Sequence, residues 1–160
     1  MKVPTSDELR EAMGLLPSAV AIVTASGKGG PAGATANAVT SLSLDPPLML
    51  ACLDRRSRTL EIVREAGAFG VSYLAGEQEA IARSFATKAP HTEKFNTVDF
   101  TDRAGVPILD GAIAWAACRI TATHPGGDHE IFIGEVVELG GRDGDPLLFH
   151  RGDYLPLSED

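Results

Sequence analysis

Cysteine, aromatic residues, basic charge and long apolar runs are all in short supply in this chain, and each shortage removes a class of explanation. Two cysteines, Cys52 and Cys118, stand in apolar strand-like runs. Neither has the neighbours of a redox pair or a zinc site, so buried free thiols in a reducing cytoplasm are expected. Met49 to Leu53 is far short of a membrane span, and the polar Met1 to Arg10 segment lacks the apolar core of a secretory signal. Fourteen basic residues against 22 acidic ones give a formal charge of -8, which argues against general binding to nucleic acid or anionic membranes. No G-x-S-x-G elbow, H-E-x-x-H, G-x-x-x-x-G-K-[ST] or close carboxylate pair in an apolar setting occurs. With these devices missing, a cofactor is expected to supply any difficult chemistry. No repeat, low-complexity tract or linker interrupts the 160 residues, so one domain over 1–160 is expected.

What is present centres on Gly33 to Pro47, G-A-T-A-N-A-V-T-S-L-S-L-D-P-P. Read as one strand, it places Thr35, Asn37, Ser41 and Ser43 on one face, opposite Ala34, Ala36, Ala38, Thr40, Leu42 and Leu44. Short neutral hydrogen-bonders beside small residues suit a flat heteroaromatic ligand. Taken alone, they favour an ordinary half-buried strand, where Thr and Ser are common.

The remaining pattern is mostly strand. Thr5 to Leu16 predicts a short helix with a Thr5/Glu8 capping box and a Leu9, Met13, Leu16 stripe. Strands are expected at Ala19 to Ala25, Leu48 to Leu53 (continuously apolar, hence buried), Ala68 to Leu74, Ala112 to Thr123, His129 to Leu139 and Pro146 to His150. Helices are expected at Thr59 to Ala66, with Leu60 and Val63 inward, and at Glu77 to Thr87, with Ile81 and Phe85 stacked. Lys88 to Asp110 reads as loop-rich and functional or partner-contacting. Gly27 to Gly30 mimics a dinucleotide fingerprint, but Pro31 and a strand follow instead of a helix, so it reads as a hairpin loop. The sum is a mainly β chain with inserted helices, closed or nearly closed as an antiparallel barrel.

Two places could carry chemistry. Asp54 to Thr59, D-R-R-S-R-T, sets three arginines and two hydroxyls at a helix start, where Ser57, Arg58 and Thr59 could hold a phosphate. The plainer alternative is a Ser57 cap with solvated arginines. His129 opens a strand after a Gly126-Gly127-Asp128 turn and is either a rim residue or a substrate-positioning group. His124 and His129 lie across that turn, but with no third ligand evident no metal site is expected. His91 and His150 carry no separate signal.

Four stretches together resemble a known family: Gly33 to Leu48, the S-R-T of Ser57 to Thr59, G-D-H-E-I-F-I-G-E-V of Gly127 to Val136, and H-R-G-D-Y-L of His150 to Leu155. In order and spacing, from about Leu9 to Leu157, the chain is similar to the flavin reductases with the FMN-binding split-barrel fold, the reductase components of two-component flavin-dependent monooxygenases. The resemblance implies a cytoplasmic homodimer that binds FMN, with FAD possible, and takes NADH or NADPH as co-substrate. Reduced flavin would diffuse to a partner monooxygenase. Thr35, Ala36 and Asn37 with Ser41, Leu42 and Ser43 would line the ring and ribityl chain. Ser57, Arg58 and Thr59 would hold the phosphate, and Phe85 and Ala86 would approach from the second helix. His129 would sit near the nicotinamide. Arg151 and Tyr154 would close the site, with the partner subunit as their possible source. Two other readings remain on the same fold: a non-catalytic flavin electron carrier, and a flavin-free barrel binding another planar ligand such as haem.

Overall fold

The computed structural model describes residues 1–157. Helix α1 (Ser6–Met13) leads into β1 (Ser18–Ala19), β2 (Ala21–Gly27), β3 (Gly30–Ala36), β4 (Val39–Leu44) and β5 (Pro47–Asp54). Helix α2 (Arg58–Ala66), β6 (Ala68–Tyr73), α3 (Glu79–Phe85), α4 (His91–Phe95), β7 (Phe100–Arg103) and β8 (Val106–Leu109) follow. Strands β9 (Ala114–Gly126), β10 (His129–Gly141), β11 (Leu147–His150) and β12 (Asp153–Pro156) complete the described chain. Seven antiparallel strands form the main sheet in the order β3-β2-β6-β9-β10-β5-β4.

That order corrects the reading of Gly33 to Pro47 as one strand. Strands β3 and β4 are consecutive in sequence but lie at opposite edges of the sheet. The chain must cross between edges, and it does so at Asn37-Ala38. The parity argument therefore breaks there, and a register irregularity between Ser41 and Ser43 breaks it again. The sheet curls so that edge strand β4 comes back toward β6: the Tyr73 hydroxyl on β6 donates to the Val39 carbonyl at the start of β4, 3.2 Å away. Ala36 and Val39 pack against the same interior. This is a barrel with a split.

The interior is filled by Val23, Met49, Ala51, Leu53, Phe69, Val71 and Phe132, and Leu60 and Val63 of α2 plug it. Strand β2 is buried on both faces, because Ile22, with Val20 just before the strand, packs outward into a second cluster with Leu74, Ala82, Phe85 and Phe95 beneath α3 and α4. Strand β5 is not continuously buried as its apolar run implied. Met49, Ala51 and Leu53 point inward, while Leu48, Leu50 and Cys52 are only half-buried on the outer face. Cys118 is buried, and both thiols are free.

The helix ends follow local rules. The Thr5/Glu8 capping box forms as expected, with Thr5 N donating to Glu8 Oε2 at 2.7 Å. The Leu9, Met13 and Leu16 stripe, however, has nothing to cover it: these side chains are 59%, 54% and 64% exposed. Ser57 caps α2, its Oγ accepting from Thr59 N at 3.3 Å, and Gly67 ends the helix at φ 66°. The second predicted helix begins later than Glu77. Gly76–Gln78 forms a 3₁₀ turn, tied down by Gln78 Oε1 accepting from Ala75 N at 2.9 Å. The loop-rich segment holds more structure than expected, namely α4 and the β7–β8 hairpin.

Candidate functional site

A cleft of about 650 Å³ opens where β3, the start of α2 and the end of α3 meet α4. Of the residues singled out from sequence, it brings together Thr35, Ser57, Arg58, Thr59, Phe85 and Ala86. It adds Lys88, His91 and Lys94, which sequence reasoning passed over.

Each wall has a structural cause. Thr35 donates its hydroxyl proton to the Ala82 carbonyl at 2.7 Å, which fixes β3 to α3 and leaves the Thr35 oxygen as an acceptor only. Gly33 lets the two elements close up: a Cβ there would lie 3.0 Å from Phe85 Cε1. Asp54 accepts from Arg56 N, Nε and Nη2 at 2.8, 3.2 and 3.0 Å. Those hydrogen bonds hold the Asp54 carboxyl down to about 2. Asp54 and Arg56 thus cancel each other at the mouth. Arg58 bonds through Nη2 to the Lys88 and Ala89 carbonyls at 2.8 and 2.7 Å, so it fastens the loop that carries Lys88 while its other N–H groups stay without a protein partner among the described residues.

Lys94 decides the electrostatics. It is 4% exposed, and its Nζ donates to the Phe85 carbonyl at 3.3 Å. Among the described residues no carboxylate lies within ion-pair distance of it. Burial first, then the Arg58 charge, pushes its pKa down. A buried cation lacking a counter-ion is costly, and an anion in the cleft would relieve that cost. Together with the backbone N–H of Arg58 at the start of α2 and the Ser57 hydroxyl, this donor set suits a phosphate. The residues therefore fit the phosphate end of a flavin mononucleotide.

The other expected site residues lie elsewhere on the single chain. Asn37 and Arg151 line a larger groove of about 980 Å³ beneath α1, beside Leu15, Leu16 and Phe149. Ala36 is half-buried against the core. Ser41 and Leu42 are exposed on edge strand β4, and Ser43 is half-buried there. Tyr154 on β12 packs on Phe149, ring centroids 5.1 Å apart, with the Arg83 guanidinium 5.1 Å over its ring. His129 pairs in register with Asp54, a cleft residue, and its Nδ1 lies 2.7 Å from Asp128 Oδ1. No cluster able to hold a metal ion occurs among the described residues, and no helix is long and apolar enough to cross a membrane.

Lys94 and His91 were missed because their helix is too short to show a period. The available signal was a lysine set between acidic and aromatic neighbours, T-E-K-F, in a segment already marked as functional.

Known proteins resemble this arrangement closely. The family described as a flavin reductase like domain matches residues 13–158. An NADH-dependent flavin reductase from a Rhodococcus species is 42% identical over 152 residues, covering 93% of this chain and 85% of that protein. The reductase component of a 4-nitrophenol 4-monooxygenase/4-nitrocatechol 2-monooxygenase from Rhodococcus opacus is 40% identical over 147 residues, covering 92% and 78%. The NADH:FAD oxidoreductase of Streptomyces globisporus superposes with a TM-score of 0.90 at 35% identity, covering 99% of this chain and 98% of that one. Fold, phosphate-suited cleft and sequence likeness over nearly the whole length agree, and this chain belongs to the flavin reductase family.

Proposed function

We propose that this protein is an NADH-dependent flavin reductase that supplies reduced flavin to a separate flavin-dependent monooxygenase. The observation that carries the reading is Lys94, a buried cation in the cleft that meets the Phe85 carbonyl and ring but, among the described residues, no carboxylate, beside a capped helix start. The named activities of the relatives favour a reductase over the electron-carrier and flavin-free readings. When bound, flavin supplies the redox chemistry, accepting a hydride from C4 of the reduced nicotinamide at its N5.

The chain's own work is binding and alignment. Ser57, Arg58 and Thr59 hold the phosphate with Lys94. Thr35, Ala36, Asn37, Ser41, Leu42 and Ser43 flank the ring and ribityl chain, with Phe85 and Ala86 approaching from α3. His129 orients the nicotinamide against the ring, where holding two planes at reacting distance does most of the catalysis. FMN is the flavin taken, with FAD as the second candidate; relatives are named for each. NADH is the preferred donor and NADPH the weaker one, since the relatives are named for NADH.

A second copy of the chain completes the site. The groove holding Asn37 and Arg151 is separate from the phosphate cleft in one protomer, and the exposed stripe of α1 offers an apolar surface for dimerisation. Arg151 and Tyr154 then close the site from the partner. The cytoplasm, with its NADH and its reducing poise for Cys52 and Cys118, is the proposed setting.

A steady-state assay crossing NADH and NADPH with FMN, FAD and riboflavin tests the reading. NADH with FMN should turn over fastest, and no flavin-dependent NADH oxidation with any pair would overturn it. In the same assay His129→Ala should slow NADH oxidation about tenfold or more with FMN affinity unchanged, the loss expected when a positioning contact goes. Unchanged turnover removes His129 from the site.

A further inference from the structure

His91 opens α4 directly behind Pro90, half-buried against β3. Its Nδ1 lies 3.4 Å from the backbone nitrogen of Gly33. That amide can only donate, so Nδ1 is the acceptor. A neutral imidazole that accepts at Nδ1 carries its proton at Nε2. His91 Nε2 is buried and has no hydrogen-bond partner among the described residues. It is therefore an N–H donor left unused, on a residue that lines the cleft alongside Ser57, Arg58 and Lys94.

Buried polar groups are nearly always satisfied, and an orphan in a cleft wall points to something that binds there. The missing partner must be an acceptor. Burial first, then the charges of Lys94 and Arg58, holds the His91 pKa below its ordinary value, so the ring stays neutral and the Gly33 hydrogen bond keeps its tautomer. The other charged cleft residues are Lys88, Arg56 and Asp54, and the last two are paired with each other.

Resting on the flavin reading above, we propose that His91 is a neutral hydrogen-bond donor, through Nε2, to the phosphate of the bound flavin, and that it makes the site discriminate phosphorylated flavin from riboflavin. The ring supplies direction where Lys94 and Arg58 supply charge. A lysine ammonium can turn toward any acceptor, whereas the Gly33 amide fixes which His91 nitrogen carries the proton.

Equilibrium titrations of wild type, His91→Phe and His91→Gln with FMN and with riboflavin test this. His91→Phe keeps the ring volume and removes both nitrogens. It should weaken FMN about tenfold, the worth of one hydrogen bond to a charged acceptor, and leave riboflavin within about twofold of wild type. His91→Gln, whose amide both accepts and donates, should recover part of the FMN affinity. Long-range nitrogen-proton NMR of the wild-type imidazole gives a readout independent of any variant: the ring should be the Nε2–H tautomer, and its Nε2 signal should shift on adding FMN but not riboflavin. Equal losses for FMN and riboflavin, or an Nε2 signal indifferent to FMN, would overturn the proposal. Wild type that binds FMN no more tightly than riboflavin would overturn the phosphate anchor itself, and this inference with it.

Discussion

At the scale of residues, the site is a matter of unpaired donors. Lys94 lost most of its hydration on folding and recovered one carbonyl and the face of the Phe85 ring, with no carboxylate among the described residues. Replacing a buried, uncompensated cation by an apolar side chain of similar length is often neutral or stabilising. Lys94→Met should therefore leave the Tm of the ligand-free protein unchanged or raise it, while FMN affinity falls about tenfold or more. Calorimetry with and without FMN reads both. A lower Tm with full FMN affinity would mean that Lys94 is a structural strut. The sequence made half of this cluster legible. Ser57 announced itself as a cap and Arg58 as a cation beside it, because helix starts obey local rules. Lys94 and His91 stayed hidden, because what matters in them is burial and an absent partner, and neither property is written in neighbouring residues.

At the scale of elements, close packing sets the tolerances. On β10, Gly134 stands where a Cβ would lie 2.7 Å from the Cys118 Cβ and 2.8 Å from Phe69 Cε1. Neither neighbour has room to move, since both are buried in the barrel interior. Gly134→Ala should cost about 1–3 kcal/mol, the usual range for overpacking. Chemical denaturation would register it as a lower midpoint at unchanged slope. An unchanged midpoint would contradict the tight interior. Strand existence was well marked by alternation, and most strands fall near their expected places. The failure at Gly33 to Pro47 has a clear origin. Alternation continues smoothly through Asn37-Ala38, but a period of two says nothing about which sheet edge a strand joins. Only the pairing of β4 with β5, and of β3 with β2, decides that.

At the scale of the molecule, a broad apolar surface is left bare. Leu9, Met13 and Leu16 on α1, Leu42 and Leu44 on β4, and Val137 and Leu139 on β10 are all exposed, Leu44 to 92%. Such patches mark interaction surfaces. Sedimentation should give a dimer, and the double substitution Leu9→Glu with Met13→Glu should shift it to monomer and lower reductase activity, because the residues at Asn37 and Arg151 would lose their partner. A wild-type monomer with full activity would remove the second copy from the site. The charge balance fits the same picture: four of the 14 basic residues, Arg56, Arg58, Lys88 and Lys94, line one cleft, while the net charge of -8 repels polyanions.

The most direct test of the account is anaerobic mixing of the protein with NADH and FMN, following the absorbance of oxidised flavin and of NADH together. The account predicts that flavin bleaches in step with NADH, one equivalent for one, and faster with FMN than with riboflavin at equal concentration. NADH and FMN that both persist unchanged in the presence of folded protein would contradict it.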